Sequence, residues 1–251
     1  MAQIFGPATN TIARASLLCS IALPFVVLLA ASQISRSPYN TKVNIAVDQP
    51  VFFSHNHHAY ELGIDCRFCH TSVEKSANAG IPPTQTCMTC HSQIWTNSPL
   101  LEPVRQSYAT NTPLKWNLLN KVPDYVYFNH SIHVQKGISC NICHGPVQNM
   151  NMTYKAQPFH MAWCLQCHRN PENYIRPKEE VFNLYAKYQT NAPIIPDQKI
   201  VSDKGITREE VALLRGNAPN RSAAMIEEGR KLVEKYNIKV KQLDDCWICH
   251  R

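Results

Sequence analysis

Ten of the 11 cysteines in this chain fall into five copies of Cys-x-x-Cys-His. The copies are Cys66–Cys69–His70, Cys87–Cys90–His91, Cys140–Cys143–His144, Cys164–Cys167–His168 and Cys246–Cys249–His250. The two-residue spacer places two thiols to meet the two vinyl positions of one porphyrin, and the next imidazole then falls beneath the iron. This is the attachment signature of haem c. Zinc also uses Cys-x-x-Cys pairs, but a histidine directly after the second cysteine in every copy is not a zinc arrangement. A disulfide framework is no better, since only Cys19 stands outside the motifs. The motifs therefore imply five covalently attached haem c groups, with His70, His91, His144, His168 and His250 as proximal ligands. The expected fold class is a multihaem cytochrome c. Short α-helices and irregular chain pack around five haems, with little β structure and one N-terminal transmembrane helix.

The sixth ligands decide what such irons do. Of 11 histidines, removing the five proximal ones leaves His55, His57, His58, His130, His133 and His160. The first five of them outside His160 sit in two Phe-x-His-x-x-His runs, Phe53–His58 and Phe128–His133. In a helix those imidazoles lie about one turn apart, so each pair can serve two different haems. The expected distal ligands are His55, His58, His130, His133 and His160, with His57 to spare. Met161 is the alternative to His160, with Met150 and Met152 also nearby, and a thioether ligand would raise that haem's potential. With a ligand for every iron, all can be six-coordinate, which suits electron transfer and not substrate binding.

The same runs mark an internal duplication. Each is followed by Gly-Ile-x-Cys-x-x-Cys-His and then by a second motif, 21 residues after Cys66 and 24 after Cys140. The expected organisation is a di-haem unit over 35–91, a linker over 92–127 and a second di-haem unit over 128–168. A haem-free, partly helical segment over 169–245 and a terminal motif over 246–251 follow. Within 169–245, Thr207-x-x-Glu210 reads as a capping box with Gly216 as the stop. Ser222 reads as the cap of a helix over 223–236, with Met225, Leu232, Val233 and Tyr236 towards one face.

The only long apolar run, Ala15 to Ala31, extends to a span over 12–34, the roughly 20 residues a bilayer crossing needs. Arg14 stands at its edge, and Pro24 inside it is tolerated in a membrane. A cleaved signal peptide shares this pattern; the run is read as a retained single anchor. Residues 1–11 are then cytoplasmic and the rest lies on the outer, periplasmic side of a bacterial inner membrane, where haem c is attached. The formal charge of +7 does not point to nucleic acid. Five haems bring roughly ten propionates, and no base-reading module is visible.

The run from Phe53 through Leu62-Gly-Ile-Asp-Cys66 to His91 resembles cytochrome c3/c7-like haem units. Joined to Pro158–Arg169, to Glu228–Tyr236 before the last motif and to the anchor, it resembles the pentahaem subunits of bacterial alternative complex III, over most of Phe52 to Arg251. The resemblance implies a quinol:acceptor oxidoreductase. Its other members would be an iron–sulfur subunit related to molybdopterin oxidoreductases, polytopic quinol-binding membrane subunits and a monohaem cytochrome c. A periplasmic cytochrome c or blue-copper protein would accept the electrons, and the chain would not be catalytic alone. Two alternatives differ in class: a stand-alone quinol dehydrogenase feeding a periplasmic reductase, and a multihaem oxyanion reductase with one open iron.

Overall fold

The computed structural model describes residues 6, 8–184 and 222–250, which form two compact units, 1–43 and 44–251. The helix signals at Thr207, Glu210 and Gly216 lie outside the described residues.

The first unit is one long helix, α1 (Ala8–Arg36), with Pro24 inside it and no buried residue. At 1.5 Å per residue it is about 43 Å long, longer than the expected span and enough to cross a hydrocarbon core of about 30 Å. It is apolar and nearly free of charge, consistent with a single-pass membrane anchor. A short helix follows, α2 (Pro38–Thr41), closed where left-handed Lys42 donates its backbone N–H to Pro38 O at 2.8 Å.

The second unit is mainly helical and irregular. Among the described residues its only β pairing is an isolated antiparallel bridge, Ala46 with Tyr154. Both halves of the duplication use the same local solution. The leading motif lies on a helix of one turn, α3 (Cys66–Cys69) or α7 (Cys140–His144). The trailing motif ends a longer helix, α4 (Thr84–His91) or α8 (Met161–Arg169). The chain enters each leading motif through a left-handed glycine, Gly63 at φ 67° and Gly137 at φ 83°. That conformation carries no penalty only where Cβ is missing.

The two halves part company at their Phe-x-His-x-x-His runs. Residues His130–Gln135 form an ordinary α-helix, here α6, capped by the Asn129 side chain. Asn56–Glu61 winds as a π-helix instead, with Leu62 N–H bonded to His57 O at 3.1 Å. Helices α5 (Glu102–Thr110) in the linker, α9 (Ala223–Lys235) and α10 (Cys246–Cys249) complete the described helices longer than three residues.

The halves are laced into each other by reciprocal hydrogen bonds. His130 N and Ser131 N donate to Ala77 O and Ser76 O, both at 3.1 Å. Gln135 Nε2 donates to Glu74 O at 3.0 Å. In return, Asn56 N donates to Met150 O at 3.1 Å, and Ser54 Oγ donates to Asn151 Oδ1 at 2.8 Å. Each half thus fixes its histidine run on the loop that follows the other half's leading motif.

The protein core is sparse, as expected of a chain that wraps large cofactors. One small cluster joins Ile138, Tyr174, Ile175, Leu232 and Tyr236, and a second joins Met150, Tyr154 and Ala156. Helix α9 starts at Ser222, whose side chain accepts from Met225 N at 3.4 Å. It buries Gly229 and Leu232, and a Cβ on Gly229 would stand 2.0 Å from Glu172 O. This helix therefore packs on the turn after α8, close against its backbone. Arg176 is only 1% exposed. Its guanidinium donates to Glu180 O, Asn183 O and Asn141 Oδ1 at 3.3–3.4 Å, pinning residues 176–183 beside α7.

Candidate haem ligand sets

Three histidines of the Phe-x-His-x-x-His runs, His58, His130 and His133, each face a histidine of a Cys-x-x-Cys-His motif. Ring centres are 6.2 Å apart for His58 and His91, 6.3 Å for His130 and His144, and 6.2 Å for His133 and His168. Two metal–imidazole nitrogen bonds of about 2.0 Å, each followed by about 1.1 Å from nitrogen to ring centre, put facing rings about 6.2 Å apart. The space between these rings therefore fits one axially ligated iron. His70 and then His144 act on His55 after burial. The second histidine of each run faces the trailing motif of its half, and His130 faces the leading one.

The ring nitrogens support the same fit. His58 Nδ1 and His133 Nδ1 donate to the carbonyls four residues back, Ser54 O at 2.9 Å and Asn129 O at 2.7 Å. His130 Nδ1 donates to Ala77 O at 2.9 Å, and His55 Nδ1 pairs with Thr153 Oγ1 at 3.0 Å. Among the motif histidines, Nδ1 donates to Gly80 O (His70, 2.7 Å), Ile94 O (His91, 3.2 Å), Leu243 O (His168, 2.7 Å) and Tyr125 O (His250, 3.0 Å). His144 Nδ1 lies 3.0 Å from the Asn120 carboxamide, whose 180° rotation presents an oxygen acceptor. With the proton held on Nδ1, every Nε2 keeps its lone pair for a metal, and each ring is fixed in orientation.

Burial reinforces this. It pushes His55 and His144 down to about 4 and lowers His58 and His133, which keeps these imidazoles neutral, as metal ligation requires. The cysteines are packed in series. Cys66 is drawn down to about 7, chiefly by a hydrogen bond with Cys140. Cys143 is pushed up to about 12 by burial and then by Cys164. The motifs, with three of their imidazoles facing a second histidine, have the donor set of covalently bound haem c.

His160, Met161 and His57 fall in different places. His160 caps α8, and its Nε2 is buried with no hydrogen-bond partner among the described residues. Met161 follows at the helix start and is 64% exposed. Met150 is taken up by the second core cluster. His57 turns outward, paired through Nδ1 with Glu61 at 2.8 Å and stacked on Trp95 at 5.9 Å between ring centres.

Two further residues belong to the site. Phe53 stacks on His58 at 4.5 Å and meets His55 edge-on at 4.9 Å. Phe128 does the same to His133 at 4.6 Å and His130 at 4.7 Å. One ring thus buttresses both imidazoles of its run. The signal was present as the first letter of the repeated run, but sequence reasoning assigned it no role. The carbonyls of Ala77, Gly80, Leu243 and Tyr125 had no sequence signal, because any residue supplies a carbonyl.

The chain is also similar to known proteins. Residues 126–191 match the family model of cytochrome c7 and related cytochrome c. The chain is also 29% identical over 179 residues to the "Menaquinone reductase, multiheme cytochrome c subunit" of Nitratidesulfovibrio vulgaris (strain Hildenborough). That match covers 62% of this chain and 85% of the relative. Motifs, apposed imidazoles and these two likenesses together make the chain a multihaem c-type cytochrome, cytochrome c7-like over residues 126–191.

Proposed function

We propose that this chain is the electron-carrying, membrane-anchored subunit of a quinol:acceptor oxidoreductase of the alternative complex III kind. It would hold five haem c groups on the periplasmic side of a bacterial inner membrane, with residues 1–11 cytoplasmic. Its neighbours would be an iron–sulfur subunit, polytopic quinol-binding subunits and a monohaem cytochrome c. A periplasmic cytochrome c or blue-copper protein would take the electrons. Haem c, when bound, supplies a reversible one-electron iron couple whose potential follows its axial ligands and surroundings.

The rest is the work of this chain's residues. Cys66, Cys69, Cys87, Cys90, Cys140, Cys143, Cys164, Cys167, Cys246 and Cys249 form the thioethers. His70, His91, His144, His168 and His250 would bind from the proximal side, paired with His55, His58, His130, His133 and His160 respectively; ring contacts support the second, third and fourth pairs, the duplication supports the first, and the fifth is assigned by elimination. For that one, His160 O accepts from Cys164 N at 3.2 Å, and the Cys164 thiol is raised by burial and then by Cys249. His160 thus lies one turn from a residue adjacent to the last motif. The observation that carries the reading is the set of three imidazole pairs at 6.2–6.3 Å with Nδ1 held, which would leave substrate no open position at those three sites.

The test is the visible spectrum of dithionite-reduced holoprotein with and without carbon monoxide. No change is expected. A shift amounting to one haem in five would favour the oxyanion-reductase alternative. A second expectation follows from the aromatic buttress. Phe128→Ala should alter the low-spin EPR signals of two haems together, and Phe128→Tyr should restore them. Unchanged signals in the alanine variant would show that the carbonyl bonds alone orient the rings.

The name of the relative favours a second direction of flow. A menaquinone reductase delivers electrons to quinone, so this chain could run from a periplasmic donor inward. Supplying the intact complex with a reduced periplasmic cytochrome and measuring menaquinone reduction separates the two.

A further inference from the structure

Order along a chain of redox sites follows neighbours in space, since electron hopping falls steeply with separation. Here those neighbours differ from neighbours in sequence. We infer that the five haem sites form one unbranched file in the order His91, His70, His144, His168, His250, so that the first two motifs exchange places and the two halves join through their leading motifs. The inference rests on the five-haem carrier reading and adds the order and the two termini to it.

Each joint has its own structural basis. The His91 and His70 sites are joined by one π-helical turn, with His58 inside it and His55 at its N-cap, three residues apart. The His70 and His144 sites meet directly. His130, which faces His144, donates through Nδ1 to Ala77 O, in the loop that runs from His70 to its own acceptor, Gly80 O. The reciprocal lacing of residues 74–77 and 150–153 closes around this joint. The His144 and His168 sites share α6 through His130 and His133.

The last joint comes from the C-terminal segment. His168 Nδ1 donates to Leu243 O at 2.7 Å, and Arg169 pairs with Asp244 at 3.3 Å. This segment leads straight into Cys246. The sites at the two termini are served differently. His91 Nδ1 is anchored on Ile94 O, three residues along its own chain, beside Trp95 at 59% exposure. His250 is anchored on Tyr125 O, and its motif carries Trp247 at 61% exposure. An exposed indole thus flanks each end of the file, where partner proteins would exchange electrons.

The experiment is a pair of double-mutant cycles read by spectroscopic redox titration of the full holoprotein, with haem content checked first. A His→Met swap on the distal side raises that haem's midpoint, and sites in contact couple whereas separated sites add. The combination His55→Met with His130→Met should give non-additive midpoint shifts. The combination His58→Met with His130→Met should be additive. The reverse pattern, with coupling only in the second pair, would place the motifs in sequence order and overturn the inference.

Should the methionine variants lose haem, Cys87→Ala/Cys90→Ala and Cys246→Ala/Cys249→Ala remove one terminal haem each. In either, one remaining haem should shift, and the combined variant should show the sum. Shifts in two or more haems on losing one terminus would also overturn the file. Carbon monoxide binding by the unmodified holoprotein would count against the carrier reading alone and leave the order standing.

Discussion

Replacing His160 with alanine should yield a reduced holoprotein that binds one carbon monoxide per molecule, about a fifth of the haem, whereas Met161→Ala should bind none. His160 Nε2 is buried without a hydrogen-bond partner among the described residues, and a buried polar atom left that way costs roughly 1–3 kcal/mol. A metal bond removes that cost. The Met161 side chain, 64% exposed, has no such debt to settle. Carbon monoxide difference spectra of the two variants measure the stoichiometry directly. Equal binding by both, or binding by Met161→Ala only, would transfer the fifth ligand to the thioether. That outcome would also carry a higher potential for the haem concerned.

Alanine at Gly137 should destabilise the holoprotein by about 2–5 kcal/mol, adding the left-handed penalty of about 1–2 kcal/mol to an overpacking cost of about 1–3 kcal/mol. Its Cβ would lie 2.3 Å from Arg176 O and 3.2 Å from the Tyr236 ring. It would also disturb the bond that Arg176 N makes to Gly137 O at 2.9 Å. Gly63 is the same residue of the duplication at nearly the same φ, yet nothing lies within 4 Å of its Cβ position. Gly63→Ala should therefore cost only the conformational part, about 1–2 kcal/mol. Denaturant midpoints followed at the Soret band compare the two. Equal losses would mean that the contacts with Arg176 and Tyr236 contribute nothing and that both glycines serve only their turns.

This contrast also shows what repetition can and cannot reveal. The motifs, the duplicated run and the anchor were legible because covalent haem attachment demands particular residues at particular spacings, and because an apolar span has to be long. The count of histidines was enough to propose a ligand for every iron. The cap at Ser222 and the helix behind it were legible from local hydrogen-bonding chemistry and periodicity. The role of Gly229 was not, since close approach to the Glu172 carbonyl depends on a turn 57 residues away. The duplication likewise predicted two equivalent helices for the histidine runs, but one of them is wound as a π-helix.

Which histidine faces which motif is a matter of tertiary structure. So is the lacing of the halves, because backbone carbonyls such as those of Ala77 and Met150 recognise a partner without any identifying side chain. By itself the sequence determined the chemistry: five attachment motifs, a surplus of imidazoles and one membrane-length helix, each written in residue type and local spacing. The fold decided the pairing of the imidazoles, the fixing of their Nδ1 protons and the meeting of Cys66 with Cys140. These depend on contacts between residues far apart in the chain, where spacing along the sequence carries no distance information.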